Sequence, residues 1–215
     1  VVISKFSNYW GNEPEVDEAT YVWRSESAVR AAMVKTGEAD IAPNIAVQDA
    51  TEPTMDFSFF NSETSRLRID PTREPFNDWR VRLAANLAVD IGGMKGTIFS
   101  PDVVPMTQIV VPSINGHNHN LRQWGYDVDE AKRLLAAAKK DGINVDKEIS
   151  MIGRIGIYPN EVEAMEAMHM MLSQAGFNVK LKMLETSQWL DILSKPYAED
   201  RGPILLQAQH DNNNG

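Results

Sequence analysis

The chain has 215 residues, 43% of them hydrophobic and 24% charged, enough for one large or two small globular domains with an ordinary core. A net charge of −9 argues against a nucleic-acid partner, and no run of about eighteen apolar residues marks a membrane-spanning helix. The absence of cysteine excludes disulfides, thiolate metal sites and thiol catalysis. No leader pattern is visible at V-V-I-S-K-F, so such a segment has been removed or the chain is part of a longer one.

In chain order, residues 1–6 read as a strand, followed by N-Y-W-G at 8–11, whose two aromatics are expected to anchor a loop on a core. A second short strand is expected at 20–24. Ser25 or Ser27 can cap a helix over 28–36 that Gly37 stops, and a short apolar strand is expected within G-E-A-D-I-A at 37–42. Residues 43–75 are irregular and contain Pro43, Pro53, Pro71 and Pro75; 56–60 can form a strand, 66–69 more strongly so. The stretch 75–90, P-F-N-D-W-R-V-R-L-A-A-N-L-A-V-D, predicts a helix capped by Asn77 or Asp78, with Val81, Ala84, Ala85, Leu87 and Ala88 on one apolar face. Asp90 can cap a short helix weakened by Gly92, Gly93 and Gly96, and prolines make 100–120 a loop.

Residues 126–142 carry the strongest helical pattern, with acidic residues at its start, Lys139 and Lys140 at its end, and Gly142 as the stop. A strand at 148–153, a helix at 160–175 ended by Gly176, a strand at 177–184, a helix capped by Thr186 and a strand at 203–207 complete the chain. That alternation predicts an α/β architecture with helices packed on a sheet. No internal repeat is present.

Few residues are grouped as chemistry requires. His117 and His119 in G-H-N-H-N could share a metal on an extended strand, with Asp102 or Asp127 as a third ligand, but a polar loop with solvated histidines accounts for the pattern. Ser113 near His117 lacks a nucleophile-elbow turn, and Asp127 and Asp129 read as helix-start charges. There is no phosphate-binding glycine loop, and the tryptophans are dispersed. Met165 and Met168 read as core. These residues supply no catalytic constellation, and neither a cofactor nor a metal is expected.

The stretch 75–90 also resembles the P-F-x-D-x-R-V-R-x-A-x-x-x-A-x-D signature of the family 5 extracellular solute-binding proteins, through Pro75, Phe76, Asp78, Arg80, Val81, Arg82, Ala84, Ala88 and Asp90. Tyr9-Trp10-Gly11, the G-E-x-D-I segment at 37–41, and Tyr126, Asp127, Ala131, Lys132, Leu134 and Leu135 resemble further segments of that family, with Val128 where proline is common. The resemblance implies a periplasmic-binding-protein-like (class II) lobe with helices on a mixed sheet. Residues 1–62 would be the end of the first lobe and a crossover, and 63–215 most of the second, with the boundary near 61–66.

The implied function is capture of a small solute, such as a peptide-like molecule or sugar, between two lobes, and its delivery to an ABC permease. The resemblance further implies a periplasmic or extracellular monomer, anchored as a lipoprotein in some full-length chains, with no enzymatic activity. A sensing or protein-interaction module on the same fold, and a hydrolase, are the alternatives. In the family the last strand leads into G-W-x-x-D, whose aspartate holds a peptide's amino terminus. Asp211 falls on that aspartate, Ala208 on the tryptophan and Gln207 on the glycine, so Asp211, Ala208, Asn212 and Gln207 are the expected ligand-binding stretch. Ala208 leaves a wider, wetter wall unless Trp124 or Trp189 fills it, which suits a sugar or a bulky peptide better than a simple dipeptide.

Overall fold

A computed structural model describes residues 1–59, 63–194, 197–198 and 200–211, with the side chains of residues 210 and 211 outside the description. Two compact units divide the chain, Val1–Ile45 and Ala46–Gly215.

In the first unit β1 (Val2–Ser4) pairs antiparallel with β2 (Glu18–Thr20), and α1 (Ser27–Thr36) follows. The expected strand at 20–24 therefore lies earlier, where Lys5 holds Glu13 and Asp17 across the hairpin. No serine caps α1; its N-cap is Glu26, without a side-chain bond, and the Arg30 guanidinium instead gathers the carbonyls of Arg24, Ser25 and Asn44. Gly37 ends α1 at φ 78°, a left-handed conformation that glycine adopts without strain. Residues 39–42 are not a strand. None of the residues 1–45 is buried, and Trp10 and Trp23 are 91% and 82% exposed. Tyr9 and Trp10 pack on each other, with ring centroids 5.3 Å apart, rather than on a core.

The second unit is built on a four-stranded mixed sheet in the order β3-β6-β4-β5, from β3 (Glu63–Ile69), β4 (Ile149–Arg154), β5 (Val179–Leu184) and β6 (Ile204–Asp211). β4 pairs parallel with both β5 and β6, and β3 runs antiparallel along β6. The helices are α2 (Trp79–Leu87), α3 (Ile91–Met94), α4 (Val128–Lys140), α5 (Glu161–Ala175) and α6 (Thr186–Leu193). The predicted alternation from residue 126 onward is thus present, while β6 extends beyond the expected 203–207 and β3 begins before 66. Residues 56–59 are not a strand, and Phe60 lies outside the described residues.

Because side chains alternate along a strand, Ile149, Met151, Val179 and Leu205 join one core with α2, α4 and α5, whereas Ile152, Ile204, Leu206 and Ala208 join a smaller cluster with Trp189 of α6. The alanine face of α2 is buried as predicted, with Val81 and Ala84 at 0% exposure, and the backbone N–H of Asp127 donates to the Leu87 carbonyl at 2.9 Å where α4 begins. The segment preceding Trp79 forms turns, which shortens α2 relative to the 75–90 pattern.

Asp78 caps α2. Its carboxylate accepts the Arg80 backbone N–H at 2.8 Å and the Arg80 guanidinium at 2.7 Å, while the same guanidinium reaches Asp141 after α4 at 2.5 Å. The side-chain hydrogen bond from Arg80 outweighs the opposing effect of burial and holds the Asp78 carboxyl below the usual carboxylate range. Asp78→Ala is expected to destabilise the chain by about 1–2 kcal/mol at neutral pH, less than the roughly 3–5 kcal/mol expected for truncating the fully buried Phe76. A depressed native pKa means that the unfolded chain takes up the proton first as pH falls. Asp78 therefore stabilises above the ordinary carboxylate range, and the difference between wild type and variant narrows below about pH 4. Urea unfolding at pH 7 and pH 3 measures both; an equal difference at the two pH values would refute the capping role.

Candidate functional site

The parallel strands β4, β5 and β6 end at one edge of the sheet, and β3 begins there. Carboxyl ends of parallel strands are where open α/β sheets present ligand-contacting side chains. Pairing between β4 and β6 stops at Ile152–Leu206. Beyond that point Gln207, 6% exposed, takes over: its Oε1 accepts the Arg154 backbone N–H at 2.8 Å, and its own carbonyl accepts Trp189 Nε1 at 2.9 Å.

Arg154 then lies between these groups. Its Nη2 donates to Gln209 Oε1 at 2.6 Å, and its guanidinium carbon sits 4.6 Å from the centre of the Trp189 ring, a cation–π arrangement. On the other side of β6, Arg66 of β3 stands opposite Ala208 in the antiparallel register. Burial first, and then the neighbouring Arg68, pull the Arg66 guanidinium pKa downward. Arg66 Nη1, Arg154 Nε and Gln209 Nε2 are buried without a hydrogen-bond partner among the described residues.

The loop after β4 is pinned by an interior carboxylate. Glu161, 6% exposed, accepts the backbone N–H groups of Gly156, Ile157 and Tyr158 at the start of α5. Burial and then the Glu63 carboxylate push the Tyr158 phenol upward, so it stays protonated. Asn160, at φ 57°, exchanges two amide hydrogen bonds with Gln48, at 2.9 and 3.0 Å, and donates to the Ile98 carbonyl at 2.9 Å.

The expected ligand-binding stretch therefore divides. Gln207 and Ala208 are interior, Asp211 has its backbone paired with Glu63, and Asn212 lies outside the described residues. Of the two tryptophans that could compensate for Ala208, Trp189 shares its cluster, whereas Trp124 lines an apolar cleft of about 360 Å³ with Trp79 and Leu83. Sequence reading did not select Arg66, Arg154, Gln209 or Glu161. The signal available was a charged residue terminating an apolar strand in I-S-M-I-G-R, and polar alternation in Q-A-Q.

Two other clusters lie away from this edge. His117 and His119 have ring centroids 4.5 Å apart, but Asp102 accepts from Ser58 and Asp127 caps α4, and no group of three metal-ligating side chains forms among the described residues. A cleft of about 330 Å³ at the other end of β6 holds Asp70, Arg68, Tyr197 and Arg201. Asp70 pairs with Arg201; burial raises its pKa, but hydrogen bonds from Thr72 and Arg201 prevail and lower it.

Comparison with known proteins matches residues 1–199 to the bacterial extracellular solute-binding proteins, family 5. The glutathione-binding protein GsiB of Escherichia coli K12 is 31% identical over 144 residues, which cover 64% of this chain and 28% of GsiB. Among solved structures, the periplasmic binding protein DppA of Helicobacter pylori, in complex with the peptide STSA, superposes with a TM-score of 0.76 at 21% identity, over 98% of this chain and 40% of DppA. AgaA of Agrobacterium tumefaciens R10, in complex with agropinic acid, gives 0.75 at 24% identity, over 96% and 42%. The chain thus spans less than half the length of these relatives. Since the family match spans residues 1–199 of 215, the chain belongs to the family 5 bacterial extracellular solute-binding proteins.

Proposed function

We propose that this chain is part of the solute-binding component of an ABC importer, which captures a small solute between two lobes and delivers it to a membrane permease. The family match over residues 1–199 carries the reading. In it, residues 1–62 complete the first lobe and cross over, and residues 63–215 form most of the second, whose carboxyl edge is one wall of the ligand cleft. Asp211, Asn212, Ala208 and Gln207 belong to that wall. Asp211 holds a cationic group of the solute, Gln207 fixes the wall's backbone, and Ala208 packs with Trp189 behind it. The protein binds without turnover, as a monomer in the periplasm or outside the cell. Relatives named for glutathione, a tetrapeptide and agropinic acid support a polar, peptide-like or sugar-derived solute.

Binding between lobes works by differential contact: a solute that touches both walls favours the closed population. One wall leaves most of the solute in water. Calorimetry with the small molecule that copurifies with the full-length protein should therefore give an affinity at least about a hundredfold weaker for residues 1–215 alone. Equal affinities would contradict the two-wall arrangement.

Two further outcomes are expected. The amides of α1 should exchange rapidly with deuterium in the 215-residue chain, since no residue of 1–45 is buried, and at least about tenfold more slowly in the full-length protein. Identical exchange would count against a first-lobe origin for this unit. Asp211→Ala in the full-length protein should weaken binding of the copurified solute by about tenfold or more with the melting temperature preserved; unchanged affinity would remove Asp211 from the site.

A further inference from the structure

β6 has a second end, and its surroundings differ from the carboxyl edge. Where β3 finishes at Ile69 and β6 begins at Ile204, a cleft of about 330 Å³ is lined by residues 68–73 and by the last turn of α6. Recesses that bind small molecules enclose roughly 300–1,000 Å³, so this one has room for a small ligand. Ile204 and Leu206, 6% and 2% exposed, give it an apolar floor, and Ile192 and Leu193 of α6 continue that surface.

Three guanidinium groups line the same cleft, those of Arg68, Arg73 and Arg201, against one carboxylate, that of Asp70. The carboxylate is already in use. Asp70 Oδ1 accepts the backbone N–H and the hydroxyl of Thr72, at 3.0 and 2.7 Å, and Oδ2 accepts from Arg201. Arg201 also stacks on Tyr197, its guanidinium carbon 3.9 Å from the ring centre, so a ring and a carboxylate fix its orientation together. Arg68 is exposed and reaches only the hydroxyl of that tyrosine, at 3.5 Å, where a hydrogen bond is weak. No ion pair joins Arg68 or Arg73 among the described residues. Three positive charges against one negative leave an excess of two in this recess, on a chain whose net charge is −9.

We propose that this cleft binds a small organic dianion of the phosphate-monoester class, its head held by Arg68, Arg73 and Arg201 and its apolar body seated on Ile204 and Leu206. A guanidinium fork matches the spacing of phosphate oxygens and donates to two of them at once. A phosphate monoester carries a charge of about −1.5 to −2 near neutral pH, which matches the excess of two. Arg201 is held in place beforehand, while Arg68 and Arg73 can turn onto a ligand without giving up an ion pair. The site needs neither the carboxyl edge nor a second lobe, so it goes beyond the solute-binding reading and does not depend on it.

The test uses the full-length protein and three probes that share one ring: phenyl phosphate, benzoate and benzamide. Calorimetry or ligand-observed NMR should rank them in that order, with phenyl phosphate about tenfold or more tighter than benzamide. Inorganic phosphate, which lacks the ring, should bind more weakly than phenyl phosphate. Arg68→Gln combined with Arg73→Gln should remove the preference and preserve the melting temperature, since the long contact to Tyr197 is the one side-chain bond these two arginines make among the described residues. Asp70→Asn removes the competing charge and keeps an acceptor for Thr72, so it should tighten phenyl phosphate by about threefold or more, a gain that a purely structural ion pair would not produce. Titration with the copurified solute at saturation should leave the phenyl phosphate affinity within about twofold. Equal binding of phenyl phosphate and benzamide overturns the site, as does a preference that survives the double arginine substitution. Displacement of phenyl phosphate by the solute also overturns it, and assigns the anion to the cleft between the lobes. Failure of all three probes overturns it and leaves the solute-binding reading untouched.

Discussion

The second unit depends on where two strands part. β4 and β6 pair for three residues, and at Ile152–Leu206 the ladder ends. A strand leaving a sheet exposes unpaired backbone groups, which is tolerable in the interior only if something replaces the lost bonds. Gln207 does so with one side chain, and its carbonyl is used by Trp189. The same residue therefore closes the backbone accounting of β4, seats α6 against the sheet and aims Arg154 across the edge. A smaller or apolar residue at 207 would leave the Arg154 N–H unmet, while the backbone carbonyl that anchors the indole would remain.

The division between what was legible in the sequence and what was not follows this point of parting. Periodicity and caps located the elements of the second unit, because burial on one face imposes spacing that the chain displays openly: the alanine face of α2, the Asp78 and Asp90 caps, and the alternation in 177–184 recur in the structure, whereas Asp127, read as a helix-start charge, caps α4, and Thr186, read as a cap, opens α6 behind Glu185. The ends of the strands were misjudged, since β3 and β6 continue through polar residues whose pairing to each other, rather than any hydrophobic pattern, keeps them extended. The first unit misled more. Tyr9 and Trp10 read as loop anchors, yet aromatic composition does not indicate which surface an aromatic meets, and in this unit the rings meet each other and solvent.

The candidate site was harder to read for a related reason. Ala208 and Gln207 attracted attention as departures from a familiar motif, but their roles depend on partners distant in sequence. Arg154 is 53 residues from Gln207 along the chain, and the bond between them exists only because β4 and β6 are adjacent. Glu161 looks like an ordinary acidic residue at a helix start. Only its burial against three successive N–H groups shows that it shapes the loop after β4 and is unavailable to neutralise the arginines nearby.

The edge is consequently polarised by construction rather than by net charge. The chain as a whole is acidic, at −9, so an anion gains nothing from long-range attraction, and screening over about 8–10 Å at ordinary salt would remove most of any such effect. What the edge presents locally is the Arg154 guanidinium, held by the Gln209 amide oxygen and by the indole ring of Trp189. Groups fixed in advance by packing and hydrogen bonds require little reorganisation to hold their orientation. Ala208 is itself buried in the cluster that holds Trp189, so a larger side chain there would press on the indole that orients Arg154, which makes the small residue at this position as consequential as the arginine beside it.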